Sequence, residues 1–324
     1  MDRLKDYIAS ARQVGFVMNY QNSNASEIKQ VKSFIQESYT TFGTIYPDKI
    51  FLNLGLWDRK IYQEYKALKF DFSKISPIQD VYSPLLLYFL IRPLLKMQLF
   101  NRRLLEIGCG NGLGLRASSE LLKTDYALGI DLTNQLVTHA HHNYYSEDKI
   151  NYIQSDAERL PIESESFDLV TNLESSHLYP SIELFFTEVE RVLRPQGYFC
   201  YADHYYKPKD QSTKLERFIK QQDNLKIIQK INITKMVQAA LYQRLIVNED
   251  SFYKYASDFL IGSDPNKWYE EFCTVAATFG LIFLPWWKIR FKNPILRPVA
   301  KYARNEKFWG KKYYFYYLIQ KVKK

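Results

Sequence analysis

A chain of 324 residues, 46% apolar and 24% charged, has material for one large hydrophobic core or two modest ones, and its composition is not that of a disordered chain. The formal net charge of +9 is unevenly spread: Pro285 to Lys324 carries 12 Lys and Arg against the single acid Glu306, so the remainder nets −2. Cys109, Cys200 and Cys273 are odd in number and form no C-x-x-C pair, which argues against a disulfide framework and a zinc site and fits a reducing cytosol.

The first residues, MDRLKDYIASARQ, mix charges with apolar positions and offer no secretory signal, so a cytoplasmic protein is expected. Residues 1–100 are read as an N-terminal helical extension and cap. Within it PLLLYFLIRPLLKMQLF, Pro84 to Phe100, is broken by Arg92, Pro93 and Lys96. That is short of the roughly 20 residues a membrane span needs, and the stretch predicts a buried or interfacial helix pair kinked at Pro93. Strand candidates follow at Arg103–Gly108, Tyr126–Asp131, Ile150–Asp156, Phe167–Glu174 and Gly197–Asp203, with helix-length segments between the first three and between the last two. Such alternation predicts an α/β fold, a doubly wound, mostly parallel sheet over residues 101–204 with ligands beyond the carboxyl ends of its strands. Residues 205–260 read as a largely helical insertion, the period showing in LERFIKQQDNLKIIQKI, and suggest a substrate lid. In 261–324 a helix NKWYEEFCTVAATF closed by Gly280 precedes LIFLP and YYFYYLIQKV, which are expected to complete a seven-stranded sheet. The basic end, with Trp286, Trp287, Phe308, Trp309 and YYFYY, suits a membrane surface or another anionic partner; a solvated basic face over a Tyr-rich edge strand is the competing reading.

The stretch LLEIGCGNGLG, Leu104 to Gly114, places glycines at 108, 110 and 112 after a strand, where the backbone can approach a ligand and turn into a helix whose amides face it. A dinucleotide fingerprint starting at Gly108 needs a sixth-position glycine, but Leu113 stands there, and Glu106 precedes the loop. A carboxylate so placed suits a cationic ligand end better than a pyrophosphate. Asp131 can hold ribose hydroxyls, and Asp156 with the amide of Ala157 can read an adenine edge. A nucleoside carrying positive charge is implied.

These residues resemble the class I S-adenosylmethionine-dependent methyltransferases, whose E/D-x-G-x-G-x-G loop, acids after strands 2 and 3, and F-D-x-V appear as E-I-G-C-G-N-G, Asp131, Asp156 and Phe167 to Val170. The resemblance covers about Leu104 to Asp203 and implies a Rossmann-like seven-stranded fold. It also implies S-adenosyl-L-methionine as cofactor, held by Glu106, Gly108, Gly110, Gly112, Asp131, Leu132, Asp156, Ala157 and Asn172. N-L-E-S-S-H-L-Y-P (Asn172 to Pro180), R-V-L-R-P-x-G-Y-F-x-Y-A-D (Arg191 to Asp203) and F-L-N-L-G-L-W (Phe51 to Trp57) look like the small-molecule branch acting on lipids and polyketides. Leu56 replaces that branch's usual Tyr, and Pro195-Gln196-Gly197 its P-G-G.

Methyl transfer from a sulfonium needs chiefly alignment in a dry site. A hydroxyl acceptor gains from a general base, and His177, just beyond strand 4, is the candidate. Asp203 can orient its imidazole or bind the acceptor, Glu174 can do either job or fix the loop, and His204 is a further candidate. Each of these can also be a structural side chain. His139, His141 and His142 suggest a solvated helix face more than a metal site, and no metal is expected. Trp57 can place its ring near the sulfonium or simply pack. The net charge raises a nucleic-acid substrate, but N-L-E-S stands where exocyclic-amine methylation carries N/D-P-P-Y/F, and no RNA-binding module is seen. Carbon methylation of an isoprenoid-like lipid and a catalytically silent, cofactor-binding partner protein are also compatible with the same motifs. The reading favoured by the residues is O-methylation of a hydrophobic small molecule, in the cytoplasm or peripherally at the inner membrane surface.

Overall fold

The computed structural model describes residues 25–45, 53–75, 80–205, 211–248, 283–284 and 313–322. Helices α1 (Ala25–Ile45), α2 (Arg59–Ala67) and α3 (Tyr82–Lys96) precede strand β1 (Arg103–Ile107). Next come α4 (Leu113–Leu122), β2 (Tyr126–Asp131), α5 (Asn134–Tyr144), β3 (Ile150–Gln154), β4 (Phe167–Leu173), α6 (Ile182–Val192) and β5 (Leu193–Tyr205). The described chain continues through α7 (Gln211–Gln221), β6 (Leu225–Asn232), α8 (Thr234–Tyr242) and β7 (Tyr313–Lys321).

The strands form one seven-stranded sheet in the order β3-β2-β1-β4-β5-β7-β6. The first five are parallel and β7 runs antiparallel to both β5 and β6. Four of the five residues of β1 are buried, as are the four central residues of β2, because helices cover both faces and a parallel strand must be apolar all round. The chain winds outward from β1 to β3 and then returns beside β1 as β4, so a crevice opens at the carboxyl ends of β1 and β4.

The run expected as a kinked helix pair is one helix, α3, with Pro93 inside it. Met97 caps it through its N–H to the Pro93 carbonyl, so the proline interrupts only the final turn. Ser83 to Ile91 and Leu94 are buried, the pattern of a helix enclosed on every side. Leu90→Ala is expected to cost about 2–5 kcal/mol in chemical unfolding, since this side chain is fully buried in the larger core cluster.

Residues 205–260 are not helical throughout. α7 ends at Gln221, and Leu225–Asn232 is a strand whose residues alternate between half-buried and exposed. Its period of two matches an edge strand covered on one face, and the open edge of β7 supplies the partner. β6 therefore takes the place expected for LIFLP, of which Phe283 and Leu284 are described and lie in no strand. β7 is an interior strand rather than an edge, with Tyr314, Tyr316 and Tyr317 buried. The YYFYY run is thereby committed to the sheet. The helix NKWYEEFCTVAATF, Gly280, Trp286, Trp287, Phe308 and Trp309 lie outside the described residues. Among the described residues no helix is long and apolar enough to cross a membrane.

Candidate active site

The crevice is a cleft whose walls come from the ends of four parallel strands: Gly108 and Gly110 after β1, Asp131 and Leu132 at β2, Asp156 and Ala157 after β3, and Glu174 after β4. Gly108 (φ +74°) and Gly110 (φ +54°) adopt left-handed backbone that favours glycine. The Gly110 N–H donates to Asp131 Oδ2 at 2.9 Å and the Thr133 N–H to Oδ1 at 2.9 Å, so the loop and the acid fix each other. Burial raises the Asp131 pKa against these backbone donors. Gly112 (φ +82°) starts α4; a Cβ there would lie 2.5 Å from Ala140 Cβ and 2.7 Å from the Tyr152 ring, so it is a packing glycine behind the loop.

Helix α1 roofs the cleft. Val31 and Ile35 are buried against Leu178, with Tyr39, Leu132 and Tyr179 beside them. Lys32 Nζ lies 2.5 Å from both Asp156 Oδ2 and Glu158 Oε2. Gln36 donates to the Leu132 carbonyl at 2.9 Å. Among the described residues the charged side chains on the cleft wall are then Asp131, Asp156, Glu158 and Glu174 against Lys32, which is already paired. Such a wall repels phosphates and favours a cationic ligand.

Two predicted residues lie behind the wall with unsatisfied acceptors. Glu106 is buried under the glycine loop, and its Oε2 meets no donor among the described residues; burial, with Asp131 adding to it, pushes its pKa up to about 8. Asn172 donates to the Ile107 carbonyl (2.9 Å), Ser175 Oγ (2.8 Å) and Tyr179 Oη (3.2 Å), while its buried Oδ1 finds no partner among the described residues. A site ringed by acids and holding spare acceptors fits a donor-rich cation such as the aminoacyl sulfonium end of S-adenosyl-L-methionine.

Beyond Glu174 the chain makes a short turn, Ser176–Leu178, which aims His177 at the end of β5. His177 Nδ1 is 2.8 Å from Asp203 Oδ1. Asp203 is fully buried and accepts four hydrogen bonds, the others from Ser176 Oγ (2.6 Å), His177 N (2.9 Å) and His204 N (2.8 Å). Burial alone would raise its pKa, but the charge and hydrogen bond of His177 hold it at about 2. The carboxylate thus only accepts, so His177 carries its proton on Nδ1 and presents Nε2 as the base. Burial opposes the His177 cation, yet Asp203 overcomes it and raises the His177 pKa. His204, its ring 4.2 Å from that of His177, is pushed down to about 3 by burial and by His177, and stays neutral. His177, Asp203 and His204 bring ligand-type atoms within 4.8 Å, but the four donors on Asp203 already account for its buried charge.

This arrangement can bind a cationic nucleoside and, next to it, remove a proton. Residues 105–201 match the family described as a methyltransferase domain. A fatty-acid O-methyltransferase of Mycolicibacterium smegmatis is 41% identical over 105 residues, 32% of this chain and 37% of that protein. The phthiotriol/phenolphthiotriol dimycocerosates methyltransferase of Mycobacterium tuberculosis is 40% identical over 108 residues, 33% of this chain and 40% of that one. The chain therefore matches less than half the length of either relative. In three dimensions the chain resembles the crystal structure of a sarcosine dimethylglycine methyltransferase homologue from Galdieria sulphuraria at TM-score 0.56, with 11% identity, over 88% of this chain and 98% of that one. At that identity the likeness concerns the fold.

Asp168 of the F-D-x-V motif accepts from Arg103 N at 2.9 Å and pairs with Arg194 at 3.3 Å, tying the starts of β1 and β4 together far from the cleft. Gln196 takes a left-handed turn position (φ +68°), so replacing the usual glycine leaves the turn intact. Trp57 lies off the cleft wall, packing on Tyr62 (5.1 Å) and Tyr82 (5.8 Å). Leu56 is fully buried and contributes packing, not a hydroxyl. His139 contacts Asn143, and His141 stacks on Tyr145, both within α5 or at its end. Lys32 and Glu158 also line the cleft, and no motif in the sequence pointed to them, whereas Ser175 and Tyr179 lie within the N-L-E-S-S-H-L-Y-P motif but were not singled out. Only the spacing of Val31 and Ile35 hinted that α1 has a face to bury.

Proposed function

We propose that this chain transfers a methyl group from S-adenosyl-L-methionine to a hydroxyl of an apolar small molecule, a lipid or polyketide. The observation that carries the reading is the juxtaposition of an acidic, phosphate-repelling cleft with the buried Asp203–His177 pair. Asp131 and Asp156 would hold the ribose and adenine, with the Gly108–Gly110 backbone beneath. The cofactor supplies an already activated methyl on a cationic sulfur. His177 takes the acceptor's proton on Nε2, and Asp203 stabilises the resulting imidazolium and fixes its orientation. The names of both sequence relatives concern lipids, which supports an apolar acceptor.

Calorimetric titration with S-adenosyl-L-methionine tests the reading, with NADH as control. Micromolar binding of the methyl donor and none of NADH is expected. Asp131→Ala removes a charged acceptor and is expected to weaken binding about 10–100-fold. No binding to folded wild-type protein would sink the proposal. With binding established, hydroxylated lipids are screened for methyl uptake.

A further inference from the structure

The acids of the cleft wall are not equivalent. Asp156 and Glu158 share the Lys32 ammonium, and Asp131 is committed to the amides of the glycine loop and Thr133. Among the described residues Glu174 makes no ion pair, and the one cationic group acting on it at a distance, His177, is bonded to Asp203 instead. Its two carboxylate oxygens accept from the Leu54 N–H at 3.1 and 2.9 Å, and Oε1 also accepts from Tyr314 Oη at 2.8 Å. All of these donors are neutral, so they orient the carboxylate without cancelling its charge. The titratable groups that act on it are Tyr314 from β7, Asp203 from β5 and His177 from the turn after β4, and the His177 imidazole is engaged with Asp203. The backbone at Glu174 has φ +49°, a left-handed conformation held by these contacts in a residue other than glycine. Glu174 therefore lines the cleft while also facing the His177–Asp203 pair.

We propose that Glu174 is the counter-ion of the sulfonium and makes the site prefer the cationic methyl donor over its neutral thioether product. The inference rests on the cofactor reading above. A fixed positive charge on the ligand sulfur gains from a nearby carboxylate that has no ion-pair partner among the described residues, and that gain disappears when the methyl leaves and the sulfur becomes neutral. The same carboxylate thus binds donor and loosens product. Burial pushes the Glu174 pKa up to about 7 in the absence of a cation, against the Tyr314 and Leu54 donors, so the group is ionised above neutrality and ready for one. Trp57, for which a place at the sulfonium and simple packing were both open, packs on Tyr62 and Tyr82.

The test is equilibrium binding of S-adenosyl-L-methionine and S-adenosyl-L-homocysteine at pH 8 to wild type, Glu174→Gln and Tyr314→Phe, with folding followed by circular dichroism. Glu174→Gln is expected to weaken the donor about tenfold and the thioether by less than about twofold. Tyr314→Phe, which removes one neutral donor and keeps the ring, is expected to shift the donor-to-product ratio in the same direction by a smaller factor. Equal weakening of both ligands, or an unchanged ratio, overturns the inference and makes Glu174 a structural clamp on Leu54. If Glu174→Gln does not fold, the ratio in Tyr314→Phe decides. Failure of wild type to bind either ligand overturns the cofactor reading instead.

Discussion

His177→Ala is expected to lower the methyl-transfer rate about 10²–10⁴-fold, while S-adenosyl-L-methionine still binds within a few-fold of wild type. The separation follows from position: His177 is not on the cleft wall and is held by Asp203. The pH dependence has a definite sign. A base works only when deprotonated, so activity is present above its pKa and lost below it, and Asp203 places that pKa above the ordinary value of 6.5. The acid limb of kcat/KM therefore lies above that of a free imidazole. Asp203→Asn removes the charge that raises it, so the limb moves to lower pH as the rate falls. Single-turnover rates with a radiolabelled methyl group, measured from pH 5 to 9 alongside calorimetry, check all of this. A variant that keeps the wild-type rate removes His177 from the mechanism.

Gly108→Ala is expected to weaken cofactor binding on the order of 100-fold or more and to lower stability. At φ +74° an L side chain costs roughly 1–2 kcal/mol. A Cβ at Gly108 would also stand 2.2 Å from Ser175 Oγ and 2.9 Å from Tyr179 Oη. Ser175 cannot retreat freely, because its hydroxyl bonds Tyr179 Oη at 3.0 Å and takes a hydrogen bond from Asn172. Relieving the overlap pushes the loop after β1 away from the turn after β4, and the cleft lies between them; overpacking of this kind costs about 1–3 kcal/mol more. Gly114→Ala is the control. Gly114 is helical, with no left-handed backbone, and its Cβ would meet the end of the Glu106 side chain, Oε1 at 3.0 Å, rather than the turn after β4. Binding isotherms and thermal melts of the two variants, side by side, separate loss of the loop from general destabilisation. Equal behaviour would remove the special role of the β1 loop.

The sequence by itself determined the parallel core of the sheet and the identity of its strand-end groups. Apolar runs such as LLEI and YALGID can exist only where both faces are covered, and glycines or acids directly after them must fall at the carboxyl ends. That is why Gly108, Gly110, Asp131, Asp156 and Ala157 were legible as a group and meet in one cleft, which Glu174, read as a catalytic or loop-fixing residue, also lines. Local periodicity was less informative where short apolar stretches satisfy two patterns. LKIIQKIN carries enough apolar positions for a helix, and only the free edge of β7 decides that it is a strand. YYFYY reads as surface or core depending on its neighbours, and β6 on its far side makes it core.

Tertiary structure alone decided the contacts between distant residues. Asp203 reaches His177 because β5 lies beside β4, and Glu174 meets Leu54 and Tyr314 across 120 and 140 residues of chain. Lys32 finds Asp156 over 124 residues because α1 crosses the crevice. Each of these pairs depends on strand order and helix placement, which follow from how the whole chain buries its apolar surface and not from any spacing within one element. The division is physical: burial pattern fixes what an element is and where its ends fall, while the packing of elements fixes which of those ends share a charge or a proton.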